Sequence, residues 1–464
     1  MMKKVLFTLL CVFTLSTQAV GSDLESRIQA MEETLKKQQK TIEEQQKIIG
    51  ELKDQIRTQI ATEKQETTVV ETGKQTSDAA SVTGLSEPEK QKPAGITGLF
   101  GSAAMSNPNI SLVLNTYAYS SSLTNDELKN RGIRGYTTEG IDRRNGFNLD
   151  SAELAIYAPV DPYFNLYATI PVTENGATVE EAYVVTTSLP KGHQIKAGEF
   201  KSGFGRLNSQ HSHVWDFVDN PLPYRAFIGF GDEGIDEKGI QYTYLPSLPF
   251  YTILGIEVLQ GENKTLFGAD ATGGPHAYTA FAKASLDVGD NSTILFGPSV
   301  ITGKTKTGTI MANSDFTGDT TLYNFEFTYK WKPSKFQGFK IQSEYLYRSQ
   351  AGDLTDTILG TVQHLDRNQD GLYIQGVYLW NRWEFGARYD MLSIFKDDYN
   401  LGGAKQDLGR RPWRATAMVD YTFSEFALLR LQYNHDESDV TGKVNHEVFL
   451  QALFSIGAHP AHQF

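Results

Sequence analysis

From Asn109 onward, apolar and polar residues alternate with a period of two. In "WRATAMVDYTF", Trp413, Ala415, Ala417, Val419, Tyr421 and Phe423 share one face, while Arg414, Thr416, Met418, Asp420 and Thr422 share the other. In "LYNFEFTYKW", Tyr323, Phe325, Phe327, Tyr329 and Trp331 alternate with Asn324, Glu326, Thr328 and Lys330. In "EVFLQALFSI", Val448, Leu450, Ala452, Phe454 and Ile456 alternate with Glu447, Phe449, Gln451, Leu453 and Ser455. Such alternation marks a strand whose two faces meet different surroundings. Roughly sixteen strands are predicted, an even number as in closed bacterial barrels. They fall near 108–120, 145–158, 163–174, 178–188, 192–200, 237–246, 249–260, 275–288, 291–303, 319–332, 336–349, 370–380, 382–393, 412–423, 425–436 and 445–456.

The connections alternate too. "APVDPY", "SLPKGH", "YLPSLPF", "DVGDNS", "WNRW" and "FSEF" are short, whereas 121–144, 201–236, 350–369 and 394–411 are long. Short turns on one rim and long loops on the other predict an all-β, antiparallel transmembrane β-barrel over 108–464. Aromatics gather at the short turns: Tyr157 and Tyr163, Tyr244 with Phe250 and Tyr251, Trp380 and Trp383, Phe423 and Phe426. An apolar ring with a polar tip suits a membrane interface. In lipid every backbone N–H and C=O must be paired, so closure of the sheet is forced. The terminal aromatic Phe464 fits delivery to an outer membrane by barrel assembly machinery.

The pattern upstream differs. Leu24, Ile28, Met31, Leu35, Ile42, Ile49, Leu52 and Ile56 follow steps of four and three, with Gln38 and Gln45 at the missing positions. This period of about 3.5 residues predicts an N-terminal coiled-coil helix over 22–60, with a trimer favoured. Residues 61–107 hold too few apolar groups to offset chain entropy and read as a flexible linker. Residues 1–21 read as a secretory signal: two lysines, a short apolar run and small residues at its end. The one cysteine, Cys11, lies inside that signal, so no disulfide is expected in the mature chain. No later segment offers about 18 consecutive apolar residues, so no membrane-spanning helix is expected. The net charge of −12 argues against nucleic acid as a partner.

Candidate chemistry concentrates in the third outward loop, 201–236. In sixteen-stranded barrels of this kind that loop commonly folds inward and narrows the lumen, which places Arg206, His211, His213, Asp216, Asp219, Arg225, Asp232, Glu233 and Asp236 in a constriction. The loop is more acidic than basic, which leans toward cations. Lys196, Arg388, Arg414, Arg430 and Glu447 are expected on the lumen wall, facing water. His211 and His213 share one side of an extended segment and Asp216 could complete a ligand set, so zinc is a candidate ligand. Hydrogen bonding that pins the loop to the wall is the competing use of the pair. "DRNQDG", Asp366 to Gly371, matches the first half of a calcium loop, but position twelve is Val377, so an EF-hand is excluded and only a looser surface calcium site stays open. No phosphate-cradling glycine loop, HExxH motif or nucleophile elbow is present, and no enzymatic activity is expected.

The stretches "NPNISLVLNTY", "DPYFNLYATI", "EEAYVVTTSLP", "KAGEFKSGFGRLNSQHSHVWDFVDNPLPYRAFIGFGDEGIDEKGIQ", "LPFYTILGIEVLQGEN" and "FSIGAHPAHQF" resemble a family of Gram-negative outer-membrane proteins. Its members are often labelled zinc-regulated TonB-dependent outer-membrane receptors. "GEFKSGFG" is similar, more distantly, to the phosphate-selective porins O and P. The resemblance implies an outer-membrane barrel concerned with transport. A TonB-dependent receptor needs a plug domain and a barrel of about 22 strands, more than the pattern offers here. Members often carry a histidine-rich first outward loop, and here 121–144 has no histidine. The phosphate-porin resemblance implies a basic lumen, whereas the third loop is net acidic, so anion selectivity is not carried over. The expected function is therefore a porin, a passive channel for small hydrophilic solutes or ions. Metal-linked uptake and a structural tether from the outer membrane to peptidoglycan are the alternatives. The expected partners are outer-membrane lipid and two further copies of the chain.

Overall fold

The computed structural model describes residues 108–457, apart from 139, 142, 230–233, 270–273, 312 and 440–441. The signal, coiled-coil and linker segments, Asp232, Glu233 and Phe464 lie outside the described residues.

Sixteen strands form the sheet: β1 Asn109–Ser121, β2 Gly146–Pro159, β3 Phe164–Thr173, β4 Glu181–Thr186, β5 His193–Lys201, β6 Asp236–Tyr244, β7 Tyr251–Leu259, β8 Ala277–Asp287, β9 Ser292–Gly308, β10 Ser314–Ser334, β11 Gln337–Asp356, β12 Val362–Trp380, β13 Trp383–Leu401, β14 Trp413–Ser424, β15 Ala427–Glu437 and β16 Asn445–Gly457. Two-residue pieces, Gly176–Ala177 and Ala404–Lys405, extend the ends of β3 and β13. Each strand pairs antiparallel with the next. Closure comes from β1 against β16, in register from Ser111↔Gly457 to Ser121↔Glu447. The sheet is thus a closed antiparallel sixteen-strand barrel with no free edge.

Alternation decides what each face meets. Phe325 on β10 and Phe454 on β16 point outward and are 48% and 51% exposed, while their neighbours Glu326 and Leu453 point inward and are buried. Exposed aromatics flank the short turns, among them Tyr163, Phe250, Tyr251, Phe336, Trp380, Trp383, Phe423 and Phe426. The outer surface is therefore an apolar band with an aromatic margin.

Two long connections differ from the sequence reading. The segments 350–369 and 394–411 are mostly strand: β11 and β12 turn only at 357–361, and β13 runs on to Leu401. Beyond the apolar band the outward face turns polar, while the inward face mixes Leu354 and Leu365 with Arg348, Gln350, Arg367 and Gln369, so the period fades although pairing continues, as in Asp353↔His364. Asp366 to Gly371 lies within β12, with a bulge between Gln369 and Gly371, so its side chains do not converge on one cation. The Asp370 carboxylate instead accepts the backbone N–H groups of Ile394 (2.7 Å) and Phe395 (2.9 Å) and the Tyr345 hydroxyl (2.8 Å), which removes the calcium reading.

Candidate functional site: a loop docked across the barrel interior

The connection 202–235 leaves β5 and crosses the interior, meeting inward-facing side chains from strands around the barrel. Asp236, expected in this loop, is the first residue of β6. Local sequence shapes the loop. Gly205 has φ +64, and a Cβ there would lie 2.6 Å from Glu344 Oε2 and 2.7 Å from the Tyr224 hydroxyl, so only glycine fits this approach to the wall. Pro223 sits in the first turn of α2, Leu222–Phe227, where a missing N–H costs nothing. Every residue of α2 is buried.

Three anchors hold the loop. The first is Glu344 of β11, whose carboxylate accepts from the Arg206 and Leu207 backbone N–H groups (2.8 and 3.0 Å), the Tyr224 and Tyr373 hydroxyls (2.9 and 2.7 Å) and the Asn324 amide (2.8 Å). Five donors on one buried carboxylate offset the cost of burying its charge.

The second anchor is Asp219. Its two oxygens take Arg388 Nη2 and Gln432 Nε2 (both 2.8 Å), then Arg414 Nη1 (2.8 Å) and Asn434 Nδ2 (2.9 Å). Arg388 and Arg414 also donate to the backbone carbonyls of Asp219 and Asn220. The flanking arginines hold the Asp219 carboxyl well below the usual range, against burial that pushes it up. Asp390 shares both arginines, 3.1 Å from Arg388 Nε and 2.7 Å from Arg414 Nη2. Arg388, Arg414, Arg430 and Glu447 do point inward, but all four are buried and bonded to protein rather than facing water. Arg430 is spent on Asp420, and Glu447 on the Tyr119 hydroxyl and Asn434. The wall charges are counter-ions for one another and for the loop. Lys196 is half-buried, its ammonium 4.7 Å from the centre of the Tyr183 ring.

The third anchor contains the histidines. His211 Nδ1 lies 3.1 Å from Glu180 Oε2, and its Nε2 lies 3.0 Å from Glu181 Oε2. His213 Nδ1 lies 3.1 Å from Glu153 Oε2, and the two imidazoles stack at 5.7 Å. Lys201 Nζ completes the group at 2.6 Å from Glu180 Oε1. Burial would lower the His211 pKa, but the hydrogen bonds its ring N–H groups donate to Glu180 and Glu181 override it and lift it to about 10, so the ring carries its proton at neutral pH. Ligand atoms of Glu153, Glu180 and His211 lie within 4.8 Å of one another, a grouping a metal ion could use after displacing that proton. Asp216, the expected third ligand, is elsewhere: it takes Lys340 Nζ (2.5 Å) and Gln375 Nε2 (2.7 Å).

The first long loop also turns inward, which the sequence did not suggest. Its helix α1, Asn125–Lys129, is started by a reciprocal Thr124/Glu127 cap, and Leu128 and Ile133 are fully buried. Arg131 pairs with Asp436 at 3.1 Å, and Arg225 of the third loop donates to the Arg131 carbonyl. The two loops therefore dock on each other as well as on the wall.

Half-exposed charges lining the interior include Lys196, Lys283, Lys330, Lys340 and Arg206 against Asp150, Glu180, Asp216, Asp236 and Glu384. Lys283, Lys330 and Lys340 escaped the candidate set. Their signal was present, since Lys330 shares a polar face with Asn324, Glu326 and Thr328. At the long-loop end, a cleft of about 480 Å³ is bordered by Asp150, Glu180, Asp236 and Glu262, with Lys264 opposite in sign.

No family model matches the chain. Among solved structures, it is similar to the outer membrane channel DcaP of Acinetobacter baumannii, at 13% identity over 77% of this chain and 99% of that one, TM-score 0.48. It is similar to in-vitro folded OmpT, an outer membrane protein of Vibrio cholerae, at 12% identity over 75% and 97%, TM-score 0.45. It is also similar to an anion-selective porin from Comamonas acidovorans, at 10% identity over 76% and 100%, TM-score 0.44. In sequence, an uncharacterized protein of Aquifex aeolicus is 39% identical over 382 residues, covering 77% of this chain and 80% of the relative. At that identity and coverage, the chain belongs to one family with the Aquifex aeolicus protein.

Proposed function

We propose that the protein is an outer-membrane porin, a passive diffusion channel for small hydrophilic solutes or ions, with residues 202–235 setting its constriction. One observation carries the reading: a closed barrel with an apolar outer band holds a charged interior crossed by a bonded loop. A soluble barrel would place its apolar side chains within and its polar ones without. A sheet with no edge leaves no strand backbone unpaired in hydrocarbon. Two loops share the interior, so the expected unit conductance is small. The half-exposed inward bases Lys196, Lys283, Lys330, Lys340 and Arg206 are met by Asp150, Glu180, Asp216, Asp236 and Glu384, so the interior lining is of mixed sign. Reconstitution in a planar bilayer tests the proposal. Steady ohmic steps are expected, and a correctly folded protein that stays silent would refute it. Residues 22–60 are proposed to join three protomers in the periplasm, which crosslinking of the full chain in its native membrane would show as a trimer.

Metal-linked uptake is the second reading, favoured by the Glu153, Glu180 and His211 grouping. Saturable zinc binding that vanishes in His211→Ala and persists in Asp216→Ala would support it. A sixteen-strand barrel falls short of the roughly 22 strands of a plugged receptor, so energised transport is not part of the proposal.

A further inference from the structure

Among the described residues, the interior holds a pair of neighbouring buried cations that the scheme above does not use. Arg348 of β11 and Arg367 of β12 both point inward and are 1% and 2% exposed. Among the described residues, no carboxylate lies within ion-pair distance of either. This sets them apart from Arg131, Arg388, Arg414 and Arg430, each of which has an acidic partner. An uncompensated buried charge is costly, and two side by side more so.

Their setting is built rather than accidental. The strands carry the same short pattern, Arg348-Ser-Gln350 and Arg367-Asn-Gln369, and run antiparallel with Arg348 opposite Gln369 and Gln350 opposite Arg367. Arg348 Nη2 donates to the Gln369 side-chain oxygen, and Arg367 Nε donates to that of Gln350. Each guanidinium is thus oriented by the glutamine across from it. Three donors converge on a single acceptor, the backbone carbonyl of Gly135 at the tip of the first loop. Arg367 Nη1 reaches it at 3.0 Å, Gln369 Nε2 at 3.1 Å and Arg348 Nη2 at 3.4 Å. Arg348 Nε and Nη1 are buried and make no hydrogen bond among the described residues.

We propose that this arginine and glutamine cradle is a binding site for a small oxyanion, a carboxylate or phosphate group, and that the Gly135 carbonyl is its built-in competitor. A neutral carbonyl offers one partial charge to two full cations. An oxyanion offers a full charge and more acceptor positions, and charge-assisted hydrogen bonds are roughly twice as strong as neutral ones. Buried Ile133 and Tyr136 seat the competitor, and a hydroxyl contact of Tyr136 adds a polar tether. The tip is a tight hairpin bridged at Ile133 and Thr137, and Tyr136 donates or accepts one hydroxyl contact with Ser393 at 2.8 Å. Arg134 beside it is exposed and Gly135 is half-buried, so solvent reaches the tip from the long-loop end. An anion arriving there meets a further cation before it meets the cradle. The site does not depend on the channel reading.

The test uses the full chain in detergent at constant ionic strength, titrated calorimetrically with succinate and, separately, inorganic phosphate. One saturable site for at least one probe is expected, and the tighter probe identifies the class of anion. Tyr136→Phe keeps both arginines and loses only the tether, so it should bind about fivefold tighter, because the competitor vacates the cradle more often. Arg348→Gln and Arg367→Gln should each weaken binding by at least about tenfold with the barrel intact. Absence of saturable binding for both probes in wild type and Tyr136→Phe overturns the proposal, as does binding that survives both arginine substitutions. Should the arginine variants fail to fold, the Tyr136→Phe comparison decides alone. A protein that binds anions but never conducts would refute the porin and leave the cradle standing; the reverse result would do the opposite.

Discussion

Asp219 is where the docking of the third loop is most concentrated, and Asp219→Ala tests it most directly. The substitution removes two ion pairs at 2.8 Å and two amide hydrogen bonds from a buried carboxylate. Stripping one partner from a buried pair costs about 3–5 kcal/mol, because the partner left behind stays charged and buried. Here Asp390 keeps contact with both arginines, so the lower end, about 3 kcal/mol, is the expected loss. The cost falls on loop docking, since none of the strand pairings involves Asp219. A loss of that size enriches the undocked loop roughly 150-fold. Trypsin reads that population, with Arg206 and Arg225 as cleavage sites inside the loop. When opening is fast relative to cleavage, the cleavage rate follows the open fraction. The variant should be cut within the loop roughly a hundredfold faster, while the unheated barrel keeps its compact migration on a gel. Cleavage within about threefold of wild type would show that Asp219 does not hold the loop.

Glu344→Gln replaces an all-acceptor group with one whose NH2 faces two or three of the five donors, which should cost about 2 kcal/mol and raise open-channel noise in bilayer recordings. The His211 anchor has the opposite pH sense to Asp219. His211 has a folded pKa of about 10, above its unfolded value, so its contribution is fully present below about pH 6.5 and is lost as pH rises through 10. Loop cleavage by trypsin should therefore increase between pH 7 and 10.5 in wild type more than in His211→Gln, after correction for the protease's own pH profile. Asp219 has a depressed pKa, so its anchor is intact above about pH 4 and fails only as acid drives the pH below the ordinary aspartate range. Phe325→Arg places a charge in the apolar band and should lower stability in lipid by about 2–4 kcal/mol, measured as a urea midpoint after folding into vesicles. Lys283→Gln, Lys330→Gln and Lys340→Gln together should shift the reversal potential in asymmetric KCl toward cation preference; no shift would mean that the ions do not pass these side chains.

Much of the barrel was legible in the chain. Period-two alternation is local: Tyr323 to Trp331 states its two faces without knowing its neighbours, and short turns fix which strands pair. The strand count and the closed sheet followed from that and from the rule that lipid tolerates no unpaired edge. The outer ends of β11 to β13 were misread because alternation marks a consistent difference between faces, and there the outward face is polar while the inward face mixes Leu354, Leu365 and Tyr399 with Arg348, Gln350, Arg367 and Gln369. The site was legible only as a loop. His211, His213, Asp216 and Asp219 were singled out, but their partners were not. Glu153, Glu180 and Glu181 precede the histidines by some thirty to sixty residues, and Arg414 follows Asp219 by 195. No local pattern encodes such pairings, because they depend on which inward positions the closed cylinder carries to the same height. The sequence by itself determined that these side chains face inward. Only the tertiary structure decided that arginines wait for Asp219 and carboxylates for His211, and that a backbone carbonyl waits for Arg348 and Arg367. Closure brings distant strands within hydrogen-bond reach, and burial then makes every unmatched charge too costly to leave to solvent.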